Sequence, residues 1–335
     1  MERAKRIRLP AWLALLLLLA AAVSGCGGAS GAADGPIKIA LSPWPGWYFW
    51  YIVEEKGFFE KHGVDVELEF FPVYSDSLQA LATGKVDANS QTLSDTLAPA
   101  SKGIGLKAVL VNDNSFGGDA IVAKPEIESI EDLKGKTVAT ELGTVDHFLL
   151  LTALAEHGMS ESDINYVNMT VNDAGPAFIS GNTDASVLWE PFQTMAVKEG
   201  NGKVLFSSKD TPGLIPDLLV FKEEVANGRP DDVQAIVDAW FEAVEWYAAN
   251  EQEGLEIMAA QAETTVDDFK LGMDSIKLFT LEDNLKAFEA GDTYESLQYT
   301  GEKTGEFLLG LDMLSSAPDV ADILEPKFVM EASKE

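Results

Sequence analysis

Three tryptophans and a set of carboxylates stand where strands give way to loops. Trp44 and Trp47 lie in Ser42-Pro43-Trp44-Pro45-Gly46-Trp47, a Pro/Gly loop, and Trp189 opens Trp189-Glu190-Pro191. Indole faces attract cations, each such contact contributing about 0.5 to 2 kcal/mol, so Trp44, Trp47 and Trp189 could clamp a flat, apolar or cationic group. Core packing is the commoner use of Trp, and Trp50, inside a helical pattern, reads that way. Asp119, Asp146, Asp173, Glu190 and Asp217 add carboxylates near loop ends. Facing a cleft, a carboxylate repels sulfonate or nitrate and attracts ammonium or guanidinium. Asp146, at a helix start, would serve equally as a cap or dipole partner. Gln91 and the run Asn112-Asp113-Asn114 follow short strands, where each could instead satisfy its own backbone in a turn.

The missing residue types narrow the chemistry further. Only four of the 335 residues are Arg, and Arg3, Arg6 and Arg8 sit in the first eight positions, leaving Arg229 alone in the rest. Forked recognition of an anion by guanidinium groups is therefore excluded from the loops named above, which leaves Lys, amides and hydroxyls for that task. The chain has a formal net charge of −31. A surface of that sign repels phosphate backbones and excludes nucleic acid as a partner. Three scattered His and one Cys offer no metal spacing, and no GxSxG elbow, Walker loop or HExxH motif is present. No cofactor is implied, and His147 reads as a helix-start residue rather than a base.

The elements that position these residues follow from hydropathy. Basic Arg3 to Arg8 precede an apolar run from Leu9 to Val23 with the proportions of a secretory signal. The run ends in Val23-Ser24-Gly25-Cys26, which resembles the lipobox of bacterial lipoproteins. Residues 1–25 are thus expected to be a signal peptide and Cys26 the lipidation site, with 26–35 a flexible Gly/Ala/Ser tether. The expected location is extracytoplasmic, anchored to the membrane by lipid at Cys26, as a monomer. Beyond the tether, strand and helix patterns alternate, as in Ile37 to Leu41 then Tyr48 to His62, or Ala185 to Leu188 then Pro191 to Glu199. Such alternation implies parallel sheets wrapped by helices, an α/β fold. Buried-type strands at Ala120 to Ala123 and Leu218 to Phe221 look like crossings between lobes. They divide the chain into lobe I, 36–122 plus 217–335 with a helical C-terminal region, and lobe II, 123–216. Ligands of open α/β sheets lie beyond the strands' carboxyl ends, here the cleft between the lobes.

Several segments carry a family resemblance in order along the chain. They are Trp44 to Trp47, Tyr51-Ile52-Val53-Glu54-Glu55-Lys56-Gly57-Phe58-Phe59, Gly84 to Ala88, Asp132 to Ala139, Leu150 to Gly158 and Trp189-Glu190-Pro191. The chain resembles the ABC-transporter solute-binding lipoproteins of the nitrate/sulfonate/taurine type, with the thiamine-pyrimidine-precursor binders as close cousins. The resemblance implies a type II periplasmic-binding-protein fold that captures a small solute and delivers it to an ABC permease and its ATPase. It also implies cleft roles for Trp44, Trp189 and Gln91. Relatives that take oxyanions carry Ser or Thr at the position of Thr144, yet Asp146 stands two residues on, which tilts the expectation toward cationic, zwitterionic or neutral nitrogenous ligands. A ligand-sensing receptor module is the alternative function. A pyrimidine-synthesis-type enzyme on the same fold is disfavoured, because such enzymes need a Cys-rich motif.

Overall fold

The computed structural model describes residues 35–334. The expected signal peptide, Cys26 and all but the last residue of the tether lie outside the described residues. Within them the strands are β1 (Ile37–Leu41), β2 (Val66–Phe70), β3 (Ala88–Thr92), β4 (Leu106–Ser115), β5 (Asp119–Ala123), β6 (Thr137–Thr140), β7 (Asn165–Asn168), β8 (Ala185–Trp189), β9 (Lys203–Ser207), β10 (Pro216–Lys222) and β11 (Ile276–Leu278). They form two sheets, ordered β11-β4-β10-β3-β1-β2 and β7-β6-β8-β5-β9.

The two sheets repeat one plan. In the first, β1 runs parallel to β2 and β3, and β10 enters antiparallel between β3 and β4. In the second, β6 runs parallel to β7 and β8, and β5 enters antiparallel between β8 and β9. Each inserted antiparallel strand directly follows a crossing, so the chain passes from the first sheet to the second before β5 and returns before β10. The first crossing therefore precedes Asp119; residues 119–122, expected in lobe I, belong to the second sheet because β5 pairs along its whole length with β8. The crossings lie side by side. Ser115 N–H donates to the Ile215 carbonyl at 3.0 Å, Ser115 and Ser208 hydroxyls meet at 2.7 Å, and Gly117 N–H donates to Ser208 Oγ at 2.6 Å.

Two strands differ from the sequence expectation. β3 reads Ala-Asn-Ser-Gln-Thr and is fully buried between β1 and β10. Its polar side chains hide it from a hydropathy argument, so Gln91, expected just past a short strand, lies inside this one. β4 likewise continues through Asn112, Asp113 and Asn114: Asp113 and Asn114 pair with β10 and β11, and Asn112 sits at the register shift between them and Val111.

Apolar faces hold each sheet's helices. Behind the first sheet, helix Pro230–Ala249 buries Val233, Ile236, Val237, Trp240 and Phe241. Trp240 meets Phe49 at 4.9 Å and Trp50 at 4.5 Å between ring centroids. In the second lobe, helix Val145–Glu156 buries Leu149, Leu150 and Leu154 in one core with Val138, Val187 and Ile121. The first helix carries its apolar stripe at the 3.6-residue period of an amphipathic helix, whereas the second is buried on nearly every side.

Candidate functional site

The carboxyl ends of the parallel strands of both sheets point toward a common cavity. The first lobe contributes Pro43, Trp44, Trp47, Tyr74, Thr92 and Asp217, the second Asp119, Val145 and Trp189, and the return crossing Ile215. The enclosed space is about 10 Å³, close to what one water-sized sphere requires. Its aromatic walls are shut off from solvent, with Trp44, Trp47, Tyr74 and Trp189 at 4, 4, 1 and 5% exposure. Both lobes supply walls to this narrow space.

The walls are fixed by specific contacts. Ring centroids lie 6.3 Å apart for Trp44–Trp47, 5.2 Å for Trp47–Tyr74 and 5.6 Å for Tyr74–Trp189, the last edge-to-face at 85°. Trp44 Nε1 donates to Asp113 Oδ1 at 3.0 Å. Two glycines make room for that pair: a Cβ on Gly46 would lie 1.9 Å from Asp113 Oδ2, and one on Gly118 would lie 2.6 Å from Trp44 Cη2. Tyr74 Oη accepts from the Thr92 N–H at 3.0 Å and donates to Asp95. Asp95 in turn accepts from Val145 N–H at 3.2 Å, the first amide of helix Val145–Glu156 in the opposite lobe, where the helix dipole favours an anion.

Electrostatically the site is one-signed. Asp95, Asp113, Asp119, Asp146 and Asp217 are all buried, and none of the described cavity-lining residues is basic. Asp113 and Asp217 press on each other as like charges, as do Asp119 and Asp146, so each pair favours holding a proton or a counter-charge. Burial pushes Asp113 up to about 8, against the pull of the Trp44 N–H and the Asp217 contact. Burial likewise raises Asp119 to about 6 and Asp95 to about 7, each partly offset by hydrogen bonds. Asp146 and Asp217 rise well above the ordinary carboxylate range, first through burial and then through the charges of Asp119 and Asp113 respectively. With these carboxyls ionised, Asp113 Oδ2, Asp119 Oδ2, Asp217 Oδ2 and both Asp146 oxygens find no donor among the described residues. An uncompensated buried carboxylate is costly enough that it takes up a proton or a counter-charge. Among the described residues, no three His, Cys, Asp or Glu side chains converge as a metal site.

The structure distributes the expected site residues unevenly. Trp44, Trp47, Asp119 and Trp189 line the cavity, and Asp146 stands behind Asp119. Thr144 is the N-cap of helix Val145–Glu156, its hydroxyl donating to the Glu141 carbonyl at 2.9 Å. Gln91 is turned inward, donating to Thr96 Oγ1 at 2.8 Å and accepting from Asn89, and Asn112 accepts from Ser90 at 3.4 Å. Neither lines the cavity, because both are buried and hydrogen bonded within the first sheet. Glu190 accepts from Thr194 N–H and hydroxyl at 3.2 and 2.9 Å and borders a separate groove. Asp173 is exposed on the first turn of helix Val171–Ile179, accepting from the Thr170 hydroxyl; it is a local turn partner, remote from the cavity wall. Tyr74 and Asp95 lie outside the expected set, their only signal being positions just past the ends of β2 and β3, whereas Asp113 falls in the polar run Asn112-Asp113-Asn114. A larger hollow of about 730 Å³ lies beside β11, but its charges are already paired, Lys277 with Asp283 at 2.7 Å and Lys286 with Glu295 at 3.0 Å.

Two α/β lobes closing on a cavity at their strand ends define the class: a periplasmic-binding-protein fold. A family model described as NMT1/THI5 like matches residues 44–254, and the chain belongs to that family. It is 29% identical over 212 residues to a Brucella abortus protein named as a binding protein, covering 62% of this chain and 65% of that one. It is 27% identical over 198 residues to the taurine-binding periplasmic protein of Escherichia coli, covering 58% and 61%. The matches thus span a little under two thirds of either relative's length. Among solved structures, the alkanesulfonate-binding protein SsuA of Xanthomonas axonopodis pv. citri, bound to MOPS, superposes with a TM-score of 0.74 at 17% identity, covering 88% of this chain and 100% of that one.

Proposed function

We propose that this protein is an extracytoplasmic solute-binding lipoprotein, which captures a small nitrogenous solute between its lobes and delivers it to an ABC permease and its ATPase. The observation that carries the reading is the shut cavity, walled by both lobes with three indoles and a phenol and bordered by carboxylates. Walls drawn from both lobes make closure and binding one event, since a ligand touching both stabilises the closed state by its differential affinity. The relatives' names are those of binding proteins, which supports a carrier over a catalyst. Their sulfonate ligands do not transfer simply: an oxyanion would meet Asp119 and Asp217 in the cavity wall with no guanidinium to offset them. Lipid attachment at Cys26 is part of the same proposal, and loss of membrane partitioning in Cys26→Ser tests it.

A thermal-shift panel of taurine, alkanesulfonates, nitrate, guanidine, choline-like amines and aminopyrimidines tests the carrier reading. Ligand at ~100 times its dissociation constant stabilises by ~2.7 kcal/mol, so a true solute raises the melting temperature measurably. Chemical turnover of any member would overturn the carrier reading.

A further inference from the structure

We propose that the solute is a small planar monocation with several N–H donors, of the guanidinium class, whose edge meets Asp119 and Asp217 and whose face meets the indoles of the cavity. This rests on the reading of the cavity as the solute site and goes further by naming the ligand's charge, shape and donor pattern. Four observations lead there.

The sign is the first. Asp119 and Asp217 line the cavity from opposite lobes, Asp146 and Asp113 add like charge beside them, and no described lining residue is basic. The second is the kind of hydrogen bond wanted. Asp119 Oδ2 and Asp217 Oδ2 are buried and unpartnered, and an ionised carboxylate only accepts. A quaternary ammonium has no N–H and would leave both oxygens unsatisfied, whereas a guanidinium offers forks matched to a carboxylate. The third observation is independent of the acids. Trp44, Trp47, Tyr74 and Trp189 wall the same space, and ring faces take up a flat, weakly hydrated cation more readily than a compact, strongly hydrated ammonium. The fourth is size. A cavity of about 10 Å³ holds no more than a water-sized group as the lobes stand, so size says only that the solute is small and that the lobes part to admit it. A metal ion is not the occupant suggested, because among the described residues no three acidic or His side chains converge on a point.

The test is isothermal titration of the full mature protein at pH 8 with guanidinium chloride, at ionic strength matched with NaCl. Parallel titrations use ammonium, tetramethylammonium, urea and taurine. The expected result is guanidinium binding tighter than every other member by about tenfold or more. Asp119→Asn and Asp217→Asn should each lose that binding while melting cooperatively, and Trp189→Phe should weaken it less than Trp189→Leu. Taurine binding with guanidinium silent would overturn the inference and leave the carrier reading intact. Silence of guanidinium in wild type, or full guanidinium affinity in both Asn variants, would also overturn it. Failure of the carrier reading is recognised separately, by turnover of a ligand or by no shift across the wider thermal panel.

Discussion

One cluster of buried tryptophan packs behind the first sheet and another stands at its carboxyl end, and only the second borders buried carboxylates. Behind the sheet, Phe49, Trp50, Phe59 and Trp240 pack at centroid distances of 4.5 to 6.0 Å, and Trp50 Nε1 donates to Ser90 Oγ at 2.9 Å. At the sheet's carboxyl end, Trp44, Trp47, Tyr74 and Trp189 stand at similar spacing but enclose a cavity bordered by carboxylates. Each cluster holds one indole N–H without a partner, on Trp240 and on Trp47, so an unpaired indole does not tell core from site. The carboxylates do. Asp113, Asp119, Asp146 and Asp217 each carry a buried oxygen without a donor among the described residues, a cost that the proposed cationic ligand would offset.

The largest effects should separate the clusters. Trp240→Ala opens a cavity in a close-packed core and should cost ~3–5 kcal/mol of stability, with solute affinity of the folded fraction unchanged; chemical denaturation and calorimetry check the two halves. Trp189→Ala should reverse the balance, losing affinity by one to two orders of magnitude with a smaller stability loss, since its ring borders an existing space. Equal stability losses with equal affinities would break the comparison. Gly118→Ala should come next: a Cβ 2.6 Å from Trp44 Cη2 forces the indole to shift and should cost ~1–3 kcal/mol.

The smaller effects concern protons. Asp95, Asp113 and Asp119 hold protons in the folded state up to about 7, 8 and 6, against 3.8 when unfolded. Between those limits the folded chain binds more protons, so these groups make the ligand-free protein lose stability as pH rises from 4 toward 8. Asp217→Asn takes one titrating carboxyl out of the Asp113–Asp217 pair and should stabilise the ligand-free protein by ~1–2 kcal/mol at pH 8 and by little at pH 5. Melting temperatures across that range read both. Stability that rises with pH in wild type would contradict the account of the buried acids.

Legibility in the sequence followed burial by apolar groups. β1 and β8, Ile-Lys-Ile-Ala-Leu and Ala-Ser-Val-Leu-Trp, and the stripe of helix Pro230–Ala249 stand out because their cores are apolar. β3 and the end of β4 are polar and buried, so their boundaries slipped, and Gln91 and Asn112 were placed in the cleft when they sit within strands. The loop tryptophans were visible because Pro and Gly mark the loops. What could not be read was direction: Asp146 and Asp173 both occupy a first helical turn, yet one is fully buried beside Asp119 and the other is solvent-exposed. Only tertiary packing distinguishes them.

The most direct test of the cleft's charge is the pH dependence of guanidinium binding, measured by calorimetry from pH 5 to 8 in buffers of low and high ionisation heat. A cation that replaces protons on the paired carboxyls should bind more tightly as pH rises and release protons to the buffer. Affinity that is constant or falls with rising pH, with no protons released, would contradict the account.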